Sequence, residues 1–188
     1  LPCVEDMKAR TTFSLVHAVR AMTRSTDVDV DMVLRMGCDI IAQRMGLVNE
    51  CIQRKADYML FVDSDMYFPP DTIMKLLSYK KDIIGAAYNF RSMPIRSTAF
   101  PLGKKEAVSP DEFSGALFKC DVVGTGMLLI KMSVFDKIPQ PWFQFGRDER
   151  GELVYGEDTW FCQQAIKAGF DVWADPNLEV KHCGEYLY

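Results

Sequence analysis

The sequence predicts an α/β protein, one domain over residues 1–188 with a mostly parallel central sheet and helices on both of its faces. Three observations predict it. Tyr58-Met59-Leu60-Phe61-Val62 is an unbroken run of five apolar residues, the form taken by a strand buried on both faces of a sheet. Strand-like and helix-like patterns alternate over about the first ninety residues, which implies parallel strands joined by right-handed crossovers. A chain of 188 residues, 48% hydrophobic and 26% charged, is long enough to bury one substantial core.

The elements follow in order. Glu5 to about Arg24 reads as a first helix, with Phe13, Val16, Val19 and Ala21 at helical spacing and a polar break at Ser25-Thr26-Asp27. Val28 to Met36 alternates Val and Asp before turning apolar, as a strand with a solvated start does. Asp39 is the N-cap candidate of a second helix reaching Lys55, with Ile40, Ile41, Met45, Val48 and Ile52 as its inner stripe. After the apolar run, Pro69-Pro70-Asp71 opens a helix carrying Ile73, Leu76 and Leu77, and residues 82–87 form the next strand. Residues 88–119 lack periodicity and read as loops with short strands. Cys120 to Lys131 reads as two strand pieces joined by the bend Gly124-Thr125-Gly126, and Pro139 to Gly151 as an exposed loop with a mobile tip from Gly146. Glu157 to Ala168 is a helix stopped by Gly169, and strands over Asp171–Ala174 and Leu178–His182 close the chain.

A formal net charge of −4 argues against a surface devoted to nucleic acid. Arg91, Arg96, Lys104 and Lys105 form a local basic group that reads as a solvated loop. The six cysteines show no CxxC pair and are expected as buried free thiols of a reducing cytoplasm. No apolar run approaches membrane-spanning length, and Leu1-Pro2-Cys3 is expected to be the tail of a strand whose earlier residues are missing.

Three Asp-x-Asp triplets occur. Those of Asp27, Asp29 and Asp31 alternate with Val and suit a solvated strand edge. Asp63-Ser64-Asp65 instead leaves the carboxyl end of the buried strand, where a loop can aim both carboxylates at one point and a hard cation such as Mg²⁺ or Mn²⁺ would neutralise them. A plain capping turn explains the triplet equally well. Glu157 and Asp158 open a helix after Gly156, where the helix dipole favours anions and an acid can serve as general base; capping again accounts for them alone. His182 ends a late strand and can complete a carboxylate-bound metal site, whereas His17, inside the first helix, reads as structural.

An apolar strand ending in Asp-x-Asp, then Gly124-Thr125-Gly126-Met127-Leu128-Leu129-Ile130, then Gly156-Glu157-Asp158 at a helix start, then a strand ending in His182, resembles the GT-A glycosyltransferases. Within them it is similar to the small, bare-core enzymes related to family 2 in phages and bacteria. The resemblance implies a Rossmann-like GT-A domain and a metal-dependent hexosyltransferase that moves a sugar from a nucleotide-sugar donor, UDP-sugar first, to an acceptor hydroxyl. It implies Asp65, Asp63 and His182 around Mn²⁺ or Mg²⁺, with Pro2, Cys3, Arg44, Asp63, Ser64, Asp65 and Gly126 along the donor. Asp158 would act as base and Glu157 would orient the acceptor or support the loop. Trp142, Phe143 and Trp160 are candidate stacking faces, with core packing as the competing reading. A host-cytoplasmic location would follow from a phage-like origin, and the acceptor stays open among glycan, protein and modified DNA base. Two other readings fit parts of the pattern. One is a haloacid-dehalogenase-like phosphotransferase with Asp63 as nucleophile, although Tyr67 stands where that pattern has Thr or Val. The other is a sugar-nucleotide binding module without turnover.

Overall fold

Along the strand β3 (Tyr58–Val62) burial alternates between two cores: Met59 and Phe61 join one, while Tyr58, Leu60 and Val62 contact the other. That period of two is what a sheet covered on both faces requires. In the computed structural model, residues 1–3, 6–24, 28–104 and 106–184 are described. The other elements are β1 (Pro2–Cys3), α1 (Ala9–Met22), β2 (Arg35–Met36), α2 (Ile40–Gln53), β4 (Met66–Tyr67), α3 (Thr72–Ser78), β5 (Ile83–Ala86), β6 (Phe100–Pro101), β7 (Phe118–Val122), β8 (Met127–Lys131), β9 (Gly146–Arg147), β10 (Leu153–Tyr155), α4 (Glu157–Lys167), β11 (Trp173–Asp175) and β12 (Lys181–His182). Short 3₁₀ turns follow Ser109 and Lys131.

The central sheet has the order β3-β8-β5-β11-β7-β6. Leu47 and Val48 of α2 and Phe161, Cys162 and Ala165 of α4 pack on one face; Leu15, Ala18 and Met22 of α1 and Ile73 and Leu76 of α3 pack on the other. The α/β class and the two helical layers are as the sequence predicts. The strand pairings are not mostly parallel. β3, β5 and β11 point the same way, but β8 lies antiparallel between β3 and β5, and β7 lies antiparallel beside β11, so only β5–β11 is a parallel ladder in this sheet. Local periodicity reports that a strand is buried, not which neighbour it takes.

Several expected faces shift as well. On α1 the buried residues are Thr11, Ser14, Leu15, Ala18 and Met22, and Phe13 and Val16 of the expected stripe are exposed. His17 lies against Phe13, the rings tilted by 38° with centroids 4.2 Å apart, a structural contact. The strand expected over Val28–Met36 shrinks to β2, parallel to β1; Asp29 and Asp31 are exposed, Asp31 pairing with Arg54, and Asp27 lies outside the described residues. Asp39 does cap α2, accepting from the Ile41 and Ala42 amides at 3.0 and 3.1 Å. Of the stripe expected there only Val48 is fully buried, Ile52 is exposed, and the polar Gln43 and Arg44 are buried instead.

Gly124-Thr125-Gly126 is not a bend between neighbouring strands, since β5 and β11 separate β7 from β8; it crosses the end of the sheet. Residues 146–155 form the β9–β10 hairpin; its residues 147–154 are exposed, as expected of this stretch, but the ends of the segment pair as strands, and Trp142 and Phe143 just before it are core residues. All six cysteines are free, with Cys3, Cys120, Cys162 and Cys183 buried. Among the described residues no helix is long and apolar enough to cross a membrane.

Candidate functional site

The carboxyl ends of β3 and β5, the start of α4 and the first turns of α2 meet on one side of the sheet, the place where open α/β sheets take ligands. β3 delivers Asp63, whose amide donates to the Gly126 carbonyl at 3.0 Å. α2 delivers Arg44, 3% exposed, against it. The Arg44 guanidinium donates through Nη2 to Asp63 Oδ1 at 3.2 Å and through Nε to Glu157 Oε1 at 3.1 Å, with its carbon 5.2 Å from the Phe61 ring centroid. Arg44 is therefore not a helix-surface charge. Burial works against its charge, but Asp63 and Glu157 outweigh that and raise its pKa above the ordinary arginine value. Its third nitrogen, Nη1, is buried and has no hydrogen-bond partner among the described residues.

A cleft of 270 Å³ opens on this group and is lined by Pro2, Cys3, Arg44, Asp63, Ser64, Asp65 and Glu157 among others. Cys38, Ile40 and Gln43 complete it. Gln43 accepts from the Cys3 amide at 2.7 Å and donates to the Gly37 carbonyl at 2.5 Å, so α2 holds β1 and the end of β2 beside the cleft.

Asp65 lines the cleft, and His182, which does not line it, is tied to the chain just after Asp65 by a two-stranded ladder. β12 pairs antiparallel with β4, His182 opposite Met66, and the Cys183 amide donates to the Asp65 carbonyl at 2.6 Å. His182 Nδ1 lies 2.5 Å from the Asn89 carbonyl oxygen. A carbonyl only accepts, so Nδ1 carries a proton, and in a neutral ring that leaves Nε2 with the lone pair a metal ligand needs. The Asp65 carboxylate takes Arg91 Nη1 at 2.7 Å. Among the described residues no three His, Cys, Asp or Glu side chains are gathered as a cage; the arginines hold the carboxylates in this conformation. By chemical type alone, two carboxylates and one imidazole are donors that suit a hard divalent ion.

Asp158 sits beside Glu157, its Oδ1 accepting from the Thr159 amide at 2.7 Å. Burial first, and the neighbouring Glu157 second, raise its pKa above the usual carboxylate value, so the helix dipole expected to favour its anion is outweighed. The Tyr88 hydroxyl accepts from the Gly126 amide at 2.8 Å, and its ring meets His182 edge-on at 4.8 Å. Glycine is required at 126 because a Cβ there would stand 2.6 Å from the Tyr88 hydroxyl oxygen and 3.1 Å from Asp63 Oδ2.

Tyr88, Asn89, Arg91 and Gln43 were not singled out by sequence as site residues. The first two follow β5 directly, and the end of a strand beside the Asp-x-Asp strand is the signal that finds them. Arg91 leaves the basic group to reach Asp65; Arg96 and Lys104 stay exposed and Lys105 lies outside the described residues.

The sequence matches no protein-family model and no curated protein. The fold is similar to A197 from STIV, with a TM-score of 0.61 at 15% identity over 96% of this chain and 83% of that one. It is also similar to GalNAc-T7, solved with UDP, GalNAc and Mn²⁺, with a TM-score of 0.53 at 10% identity over 92% of this chain but 36% of the other. The fold is that of the GT-A glycosyltransferases.

Proposed function

We propose that the chain is a metal-dependent glycosyltransferase that moves a sugar from a nucleotide-sugar donor, UDP-sugar first, to an acceptor hydroxyl. The observation that carries this reading is Arg44: a buried guanidinium that ties the Asp-x-Asp loop to the acid pair of α4 in one cleft. Neither motif alone separates chemistry from helix capping, but capping needs no buried cation spanning both. The likeness to a fold solved with UDP, GalNAc and Mn²⁺ supports the reading further.

Asp63, Asp65 and His182 would hold Mn²⁺ or Mg²⁺, and the ion would supply positive charge against the leaving diphosphate. Arg44 Nη1, buried and unmatched, offers a hydrogen-bond donor to a phosphate oxygen. Pro2, Cys3 and Ser64 flank the donor beside it. Asp158 takes the proton of the acceptor hydroxyl as its oxygen bonds to the anomeric carbon, and the bond from that carbon to the phosphate oxygen breaks with its electron pair leaving on the diphosphate. Glu157, already paired with Arg44, keeps the two halves of the cleft in register.

The test is a screen of nucleotide sugars for Mn²⁺-dependent thermal stabilisation. A UDP-sugar should raise the melting temperature of the parent and leave Asp65→Ala unshifted. If no donor shifts the parent, the assignment fails; a phosphoryl adduct trapped on Asp63 would establish the phosphotransferase alternative instead.

A further inference from the structure

A second and larger cavity, 730 Å³, adjoins the donor cleft and shares Cys38 and Ile40 with it. We propose that this cavity binds the acceptor, and that the acceptor is a saccharide. The inference rests on the nucleotide-sugar reading of the neighbouring cleft.

The first turn of α4 joins the two spaces. Glu157 lines the cleft, and Trp160, whose amide donates to the Gly156 carbonyl at 3.1 Å within that turn, lines the cavity. An acceptor in the cavity therefore meets a donor in the cleft at the α4 turn, beside Glu157, as group transfer between two bound molecules requires. The indole is fixed by its Nε1 donating to the Pro141 carbonyl at 3.1 Å. Tyr155 forms another wall, and its ring lies directly on the β9 backbone, because any Cβ at Gly146 would run into it.

The lining chemistry selects the class. Half-buried Trp160 and Tyr155 provide flat apolar faces for the C–H side of a pyranose, and Gln144, Arg147 and Asp39 provide amide, guanidinium and carboxylate partners for its hydroxyls. A polyanion would meet one arginine offset by one aspartate, too little positive charge to hold a phosphate backbone.

Saturation-transfer NMR on the full chain with Mn²⁺ and saturating UDP tests this, using methyl glycosides of glucose, galactose and N-acetylglucosamine, and N-acetylthreonine amide as the peptide probe. At least one glycoside should receive saturation. Trp160→Phe should retain it, and Trp160→Ala should weaken binding about tenfold or more, while UDP affinity stays that of the parent in both. Should Trp160→Ala not fold, Gln144→Ala reads the same cavity from an exposed position and should also weaken binding. Saturation of none of the glycosides, saturation only of the threonine amide, glycoside binding that disappears when UDP is added, or parent-like binding by the variant that folds each overturns the proposal. Failure of UDP to bind with Mn²⁺ instead sinks the donor reading, so the two failures are distinct.

Discussion

Asp158 sits where its environment works against its ordinary chemistry. Burial, then Glu157, holds its pKa above the usual carboxylate value. A base must be ionised, so turnover should fall as pH drops through that raised pKa, and Glu157→Gln, which removes the second cause, should move the acidic limb of the kcat/KM profile to lower pH. A limb that stays in place would exclude Asp158 as its origin. The stability sign is opposite. A folded-state pKa above the unfolded one favours folding below the unfolded value, and that contribution is lost as pH rises through the folded value. Asp158→Asn should therefore melt higher than the parent at about pH 8 while losing about 10²–10⁴-fold in turnover; melting and rate measurements on the same preparation check both. At this scale the sequence was partly legible. Asp63 at a strand end, Asp39 as a cap and Glu157 at a helix start are local signals. The burial of Arg44 is not local, because its partners lie on β3 and α4 and a polar residue within a helix reads as solvent-facing by default.

Among the elements, the segment between β7 and β8 shows how packing decides composition. Gly126 keeps its backbone against Tyr88 and Asp63, and Gly124 does the same against Tyr88. Gly126→Ala should push Tyr88 from the Gly126 amide and Asp63 from its place beside Arg44, costing about 1–3 kcal/mol of stability; denaturant unfolding measures the loss, and an unchanged midpoint would show that Tyr88 can yield. Element existence was well marked in the sequence for β3, α2, α3 and α4, where periodicity and caps coincide. The buried face was not. α1 turns Phe13 and Val16 outward and packs Ser14, whose hydroxyl accepts from the Phe68 amide at 3.0 Å, so a backbone partner outranks the apolar stripe. The hairpin β9–β10 is not legible in the sequence, because strands of two and three residues leave no period to detect.

For the molecule as a whole, the α/β class and helices on both faces were legible, since both follow from alternation along the chain. The order β3-β8-β5 was not, because a strand taken from later sequence enters between two that precede it. That placement bears on how the chain is made as well as on what it does. A nascent polypeptide carries β3, α3 and β5 long before β8, yet β3 and β5 each pair with β8 rather than with each other. The early half is left with open strand edges and long loops to close, the circumstance that slows folding and invites aggregation. Fragments ending before Met127 should remain protease-sensitive, and one that resisted digestion would show that β3 and β5 find another partner first. Pairing of residues 127–131 is thus the step that makes β3 and β5, and with them Asp63 and Tyr88, neighbours.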